Sequence, residues 1–542
     1  MTRPRSAPVT RPSARTGAPG AAPASSAQER AWFASVLTHD PPTYCAVDEF
    51  PVHADIAVDD VEHALRVITE RHEPLRSALR VVDGGLVQYV YPGLEPQVEH
   101  VDLSGLDPFA QARERRRTRA RFARRPFDPE CPPLWRAAVL TLGEGAWSVL
   151  FAAHHTVYDS TSRFNVHAEL TELCAAAGEG RAPQLPHLAH SYGTQAIRER
   201  ARLTPERRAA LAAHWRSRLD GLPAVHTLPM DRPRPPARTF RGAEVRTALP
   251  GGTAESLTAA ARRHGTRPVM LLLAAYTALL HHHSGAEDLA VGLPVAGRTD
   301  PETLPLVGTF VNMRVLRADL TGDPGFGELV RGLHATVRAD DPHDIPFQTL
   351  VELLPATRLP GVPPLYQLAF NHVSAGGLGA PVSSCEEDLL LDVADDTVRI
   401  VYDVALFDRT TVDALLADYL RLLAAALRDP DIALSRLGDG LRARRATPVQ
   451  AGPPPTAPRG PRTATERRVA TAWQEVLGTD VTDVHQDFFA LGGHSSQALR
   501  LLARLTTHTG TGVTLRTFFA DPTVAGLATA LAHPRTRRTA WR

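Results

Sequence analysis

Apolar residues recur along this chain with two different spacings, which predict helices in some segments and strands in others. Helical spacing occurs in residues 58–72, 204–219, 268–282, 412–427, 465–477 and 496–505. Residues 86–91 alternate between polar and apolar positions, and Trp147–Ala153 is short, apolar and rich in β-branched and aromatic residues, which is typical of a buried strand. The pattern predicts an α/β protein with a purely helical unit near its C-terminal end.

Proline-rich stretches divide the chain into segments. Residues 1–21 are predicted to be a disordered tail, and residues 441–462 a semi-extended spacer because of their proline content. The main domain would then be residues 22–440. A small helical unit would follow at 463–536, before a tail at 537–542.

Composition limits the function classes. All 60 basic residues are arginine, yet the net charge is only +1, which argues against bulk attraction to nucleic acid or to an anionic membrane. The four cysteines are widely scattered, so we expect neither a disulfide framework nor a metal site. Apolar runs are shorter than the ~20 residues that span a bilayer. We therefore expect a cytoplasmic protein without a membrane partner.

The strongest chemical signal is a histidine pair at the end of the predicted buried strand. His154 and His155 follow Ala153, and Asp159 lies four residues beyond His155. A histidine on a rigid strand end can act near neutral pH, because its unperturbed pKa is about 6.5. This layout is typical of acyl transfer catalysed by histidine.

The pair belongs to a series of motifs that resembles the condensation domains of nonribosomal peptide synthetases. The matching blocks, in the order of that family, are Ser26–Trp32, Arg71–Arg76, Pro126–Asp128, His154–Asp159, Leu228–Pro235, Asp288–Arg298, Val307–Asn312, Asp344–Phe347 and Pro364–Gln367. The resemblance implies an α/β (α+β) fold of two chloramphenicol acetyltransferase-like lobes in a V shape. The N-lobe would be 22–200, the C-lobe 201–440, and the active site would lie in a tunnel between them.

The same resemblance assigns roles to the motif residues. His155 is the candidate catalytic histidine, as a general base or by positioning the amine, while His154 and Asp159 support it from within the motif. Asp159 is expected to be buried against an arginine, with Arg76 and Arg298 as the candidate partners. Ser160 stands where the family usually has glycine, and it is expected to narrow the channel or alter the turn.

A second motif lies near the C-terminal end, where Asp487–Leu499 resembles the attachment site of a peptidyl carrier domain. Two glycines allow a tight turn, and Ser495 then begins an amphipathic helix, whose N-terminus suits a phosphodiester. The resemblance implies a four-helix bundle at 463–536 with 4'-phosphopantetheine attached covalently to Ser495.

Together the motifs predict a condensation–carrier didomain that forms an amide bond. The donor would arrive on an upstream carrier protein and the acceptor on Ser495, whose arm a phosphopantetheinyl transferase installs. The spacer at 441–462 leaves no room for an adenylation domain, so a separate adenylation enzyme is expected to load Ser495 in trans. A downstream synthetase module or thioesterase could follow. Two alternatives stay open: condensation onto a free amine or hydroxyl, and a non-catalytic platform that recruits carriers.

Overall fold

The computed structural model describes residues 20–38, 44–53, 57–95, 97–143, 146–235, 238–354, 359, 361–373, 378, 382–394, 396–441, 458–509 and 512–533. Most of the predicted tails and of the predicted spacer lie outside these residues. The N-terminal tail was predicted two residues too long, because Gly20 already pairs with Val90 in a sheet. Within the spacer, the Arg459 backbone forms hydrogen bonds with Asp483 and Val484 of the carrier segment.

Among the described residues, helices and strands alternate up to residue 441, and the elements after it are all helices. The strands are β1 Gly20–Pro23, β2 Cys45–His53, β3 Ser77–Val82, β4 Gly85–Val90, β5 Val98–Asp102, β6 Trp135–Gly143, β7 Ala146–His154, β8 Gly242–Ala248, β9 Asp288–Val295, β10 Asn312–Asp319, β11 Leu368–His372, β12 Leu389–Val393 and β13 Thr397–Asp403. The helices are α1 Ser26–Thr38, α2 Val58–Arg71, α3 Pro108–Arg124, α4 Ser160–Glu179, α5 Tyr192–Arg202, α6 Pro205–Arg218, α7 Thr253–Arg263, α8 Pro268–Ser284, α9 Phe326–Asp340, α10 Phe347–Leu353, α11 Arg409–Arg428, α12 Leu434–Leu437, α13 Ala464–Leu477, α14 Ser495–Thr509, α15 Leu515–Ala520 and α16 Val524–Ala532. The elements predicted from apolar spacing are confirmed to within a few residues at each end.

The N-terminal half is built on a four-stranded sheet in the order β2-β7-β6-β5. Strand β7 is central, and Val149, Phe151 and Ala153 pack with residues of α2 and α4 in one apolar cluster. Leu150 and Ala152 point into a second cluster with Phe122 of α3. Because both faces are covered, the strand is apolar from Val149 to Ala153. Its last residue is His154, paired with Cys45 of β2.

The C-terminal half has a six-stranded sheet in the order β10-β9-β11-β12-β13-β8. Helices α8 and α11 pack on one face and α6 and α10 on the other. Helix α8 is apolar on every side because it is buried on every side. The mixed α/β architecture predicted from the sequence is therefore confirmed.

A third, three-stranded sheet, β1-β4-β3, contains a tight hairpin whose tip reaches the C-terminal unit. Asp83 and Gly84 form the turn with φ values of 51° and 76°. Positive φ at both central residues is the geometry that matches the twist of a two-residue hairpin, and it explains the Asp-Gly sequence.

The C-terminal unit is a bundle of α13 to α16, which confirms the predicted helical carrier fold. Trp473, Phe488 and Phe518 are fully buried at its centre and pack edge to face, with Trp473 and Phe518 lying 5.0 and 5.2 Å from Phe488. Within the described part of the chain, none of the helices combines the length and the apolar character that crossing a bilayer requires.

Candidate active site

Two hydrogen bonds hold His155 in the loop after β7, one through its main chain and one through its imidazole ring. The His155 backbone N–H donates to the Tyr44 carbonyl at 2.9 Å, and its ring Nδ1 lies 3.3 Å from the Tyr158 carbonyl. A carbonyl oxygen only accepts, so Nδ1 carries the proton. The other nitrogen, Nε2, is then left unprotonated in the neutral ring. The arrangement supplies a base, or a hydrogen-bond acceptor, of defined direction.

Burial keeps the His155 ring neutral. Desolvation lowers the pKa of His155 below its usual value, while the Tyr158 carbonyl opposes that shift. Among the nearby charges, Arg30 lowers the pKa, whereas Asp159 and Asp48 raise it. At neutral pH the ring is therefore ready to accept a proton rather than to donate one.

His154 faces the interior behind the site. Its side chain is buried, and its Nδ1 lies 2.8 Å from the Thr156 hydroxyl and accepts from the Thr156 N–H at 3.2 Å. The ring packs edge to face on Phe127. Burial lowers the pKa of His154 to about 3, with a further contribution from His155, so the ring is neutral under ordinary conditions. These contacts support a structural role.

Asp159 joins the two halves of the main domain. It caps the N-terminus of α4 by accepting from the Ser162 N–H at 2.8 Å, and its carboxylate pairs with Arg298 at 3.0 Å. It also accepts from the Phe310 N–H at 3.1 Å. Both ion-pair side chains are at most 3% exposed. Arg298 and Phe310 belong to the C-terminal half. The buried Asp159–Arg298 ion pair therefore holds the loop after β7, which carries His155, against that half.

Of the two arginines that the sequence offered to Asp159, Arg298 makes the contact and Arg76 does not. The Arg76 guanidinium instead donates to the Glu70 and Tyr91 carbonyls, both at 3.3 Å. Ser160, which was expected to narrow a channel, is the exposed first residue of α4. It is not among the residues that line the cavity described below.

Ser495 is the first residue of α14 and is half-buried. Gly492 has a φ of 91°, and Gly493 packs so closely on Phe488 that a Cβ there would lie 2.4 Å from the ring. Both positions therefore require glycine, and the turn they form presents Ser495 at the surface of the bundle.

The carrier bundle rests on the main domain beside Ser495. The His494 ring pairs with Glu352 of α10 at 3.2 Å. At the hairpin tip, Gly84 touches Arg500 of α14, where an added Cβ would lie 2.6 Å from Arg500 Cγ. Trp32 and Phe33 of α1 join the apolar cluster of the bundle. These contacts place Ser495 against the main domain.

A cavity of about 680 Å³ opens at Ser495 and extends between the two halves. Its outer wall includes residues of the bundle, and its inner wall includes Arg30, Tyr366, Glu386 and Glu387. The Tyr44 hydroxyl donates to Glu386, and the Tyr44 ring lies 6.4 Å from the His155 ring. A lining residue of the cavity, Glu386, is thus hydrogen-bonded to the tyrosine whose ring adjoins that of His155. A serine hydroxyl at a helix start that opens into such a cavity fits a covalently attached 4'-phosphopantetheine.

Sequence reasoning missed Tyr44, Glu352 and Gly84. These residues come from separate segments and meet only in the folded chain. The Asp-Gly dipeptide indicates a hairpin turn. Nothing in its sequence indicates that the turn contacts the carrier helix.

The comparisons with known proteins agree with this architecture. Residues 19–379 match the family model described as "Condensation domain", which is more than half of the chain. The chain belongs to the condensation domain family. Behind this condensation domain, residues 467–531 match "Phosphopantetheine attachment site", which implies a covalent 4'-phosphopantetheine on the carrier domain.

Two synthetases are among the similar relatives. A protein of the linear gramicidin synthase of Brevibacillus parabrevis is 32% identical over 77% of this chain and 8% of that protein. Phosphinothricin tripeptide synthetase PhsC of Streptomyces viridochromogenes is 34% identical over 77% of this chain and 40% of that protein. The chain thus spans less than half the length of either relative.

A solved structure also shares the fold of the condensation domain. The SgcC5 protein of Streptomyces globisporus is 25% identical with a TM-score of 0.66, over 76% of this chain and 100% of that one.

Proposed function

We propose that this chain forms an amide bond between a donor acyl or peptidyl thioester, delivered by an upstream carrier protein, and an aminoacyl group held on its own Ser495. The single observation that carries the proposal is that Ser495 lines the same cavity as Glu386, which accepts a hydrogen bond from Tyr44, next to His155. A carrier docked in this way delivers a group into the condensation domain of the same chain.

The chemistry follows from the state of His155. When attached to Ser495, the 4'-phosphopantetheine arm would hold the acceptor as a thioester, and Ser495 would present it to the cavity. The acceptor amine nitrogen bonds to the donor carbonyl carbon, the donor C–S bond breaks, and the leaving sulfur takes the proton that the amine loses. Nε2 of His155 accepts or orients that proton, because Nδ1 is held by the Tyr158 carbonyl. Asp159 and Arg298 act by holding the loop in place and do not touch the reacting atoms.

Loading in trans is part of the proposal. The residues between the two family matches, 380–466, complete the C-terminal half and the spacer, so no adenylation domain fits between them. A separate adenylation enzyme would then supply the aminoacyl group. Purified protein carrying the arm should gain no mass when it is incubated with ATP and the proteinogenic amino acids. A gain of one aminoacyl residue would overturn loading in trans and would leave the condensation proposal intact.

The test of the condensation step is the mass carried by Ser495 in producing cells. We expect the wild-type arm to carry the condensed product and the His155→Ala arm to carry only the acceptor. Positioned acid–base groups contribute roughly 10²–10⁴-fold to rate, so the loss of condensed product from the His155→Ala arm should be complete within a growth period. The same condensed mass on both proteins would contradict the role of His155 and favour a recruiting platform.

A further inference from the structure

The inner end of the cavity carries an acidic pair that the proposed reaction does not use. Glu386 and Glu387 are adjacent in sequence and both line the cavity. Glu386 accepts a hydrogen bond from the Tyr44 hydroxyl. In the part of the chain that the structure describes, the Glu387 side chain has no ion-pair partner within 4.0 Å. Two neighbouring carboxyls facing one cavity are costly to ionise together without a cation.

A second polar side chain, that of Tyr366, lies at the same cavity. Tyr366 lines the cavity and is 7% exposed, and its hydroxyl makes no hydrogen bond with any described residue. Among the nearby charged groups, Glu387 has the largest effect on the pKa of the Tyr366 hydroxyl, and it raises that pKa. A phenol oxygen accepts hydrogen bonds from an ammonium or guanidinium group, and an aromatic face attracts either cation. The tyrosine and the two glutamates therefore form one acceptor-rich wall.

Arg238 and Arg30, the two of the cavity's five lining arginines that act on Glu387, do not neutralise this wall. The Arg238 guanidinium donates to the backbone carbonyls of Cys385 and Glu386 and stacks on Phe240, which fixes it beside the backbone. Arg30 forms no ion pair among the described residues, and its Nε is buried without a partner. A guanidinium that satisfied Glu387 would hold its pKa low. Burial, followed by the charge of Glu386, raises the pKa of Glu387 to about 8, even though Arg238 and Arg30 both act to lower it.

The distance between the glutamates and His155 determines which part of the acceptor amino acid would contact the wall. The reacting amine must lie at His155, whereas Glu386 lies at the far end of the Tyr44 side chain, whose ring is 6.4 Å from His155. A group in contact with the glutamates is therefore a different group from the reacting amine. It belongs to the side chain of the acceptor.

We propose that Glu386, Glu387 and Tyr366 select an acceptor amino acid whose side chain carries a cationic group, an amine or a guanidinium. The inference rests on the proposed function, because it assumes that the acceptor enters from Ser495. A cationic side chain would supply the ion-pair partner that the wall lacks. A neutral side chain of the same length would leave the two carboxyls facing each other.

Soluble acceptor mimics test the selection without any donor. Lysyl-pantetheine, norleucyl-pantetheine and glutamyl-pantetheine, each with a stable amide in place of the thioester, are titrated into the unmodified full chain by calorimetry. Lysyl-pantetheine should bind about 10- to 100-fold more tightly than the norleucyl compound, since a hydrogen bond to a charged group is strong. Binding of the lysyl compound near pH 7 should also release protons, because the cation favours ionised Glu387.

Variants assign the effect to the wall. Glu387→Gln and Glu386→Gln should each remove most of the preference for the lysyl compound, and the exposed Glu255→Gln on α7 is the matched control. Glu386→Gln keeps the test open if the Glu387 variant fails to fold.

Three outcomes would overturn the inference. Equal binding of the lysyl and norleucyl compounds would refute the selection alone. Tighter binding of the glutamyl compound would assign the cavity to an acidic acceptor paired with Arg30. Binding of none of the three would refute the selection and also the entry of the acceptor through this cavity.

Discussion

Replacement of Asp159 by alanine should cost the protein about 3–5 kcal/mol of stability. The substitution leaves the Arg298 guanidinium buried without its counter-ion, at a site where both side chains are at most 3% exposed. It also removes the cap of α4 and the acceptor for the Phe310 N–H. Because domains unfold with about 5–15 kcal/mol, such a loss is a large fraction of the total.

Urea unfolding followed by circular dichroism measures this cost as a shift in midpoint. The matched control is Asp413→Ala, which breaks an exposed ion pair with Arg409, in which the arginine side chain is 70% and the aspartate side chain 48% exposed. The control should change stability by less than about 1 kcal/mol. Replacing both partners with apolar residues, as in Asp159→Leu with Arg298→Met, should recover part of the loss. An Asp159→Ala protein as stable as the control protein would refute the view that the buried pair holds the two halves together.

Three further predictions follow from particular contacts. Since burial lowers the pKa of His155, the acid limb of the pH–rate profile for condensation should have its midpoint below pH 6.5, and a midpoint above 7 would contradict the neutral imidazole. The pKa of His154 is about 3 in the folded protein and about 6.5 in the unfolded chain. The neutral ring therefore contributes its full stability above pH 6.5, and this contribution is lost as the pH falls towards 3. Between pH 7 and pH 5, the free energy of unfolding measured by urea titration should fall by roughly 2 kcal/mol more for the wild type than for His154→Gln. Gly84→Val should displace Arg500 and raise hydrogen exchange in α1 beneath the carrier, whereas Gly93→Val, which has a similar positive φ and nothing within 4 Å, should leave α1 protected.

The helices and strands of this fold were predicted well, because each depends on the spacing of apolar residues that are neighbours in sequence. The apolar run Trp147–Ala153 indicated a buried strand, and it proved to be covered on both faces. The choice between Arg76 and Arg298 could not be made from sequence. Both arginines stand in matching motifs, and only the packing of the two halves decides which guanidinium reaches Asp159.

The residues of the cavity were also impossible to bring together from the sequence alone. Tyr366 and Glu386 come from separate segments and line one wall of the cavity, and Glu386 accepts a hydrogen bond from Tyr44 of a third segment. The dipeptide Glu386–Glu387 looks like a solvated surface pair when read alone, because adjacent charged residues are usually exposed. Only the tertiary structure places it at the cavity, beside Tyr366, whose hydroxyl forms no hydrogen bond with a described residue.

We infer that Ser495 carries the acceptor for the condensation domain of its own chain. The most direct test is the mass of the Ser495 peptide from protein isolated out of the native producer during biosynthesis. We expect a 4'-phosphopantetheine arm that bears an aminoacyl group or the condensed product, and the added mass would identify it. An unmodified serine under those conditions would refute the role of Ser495 as acceptor carrier and would favour a free acceptor or a platform that only recruits carriers.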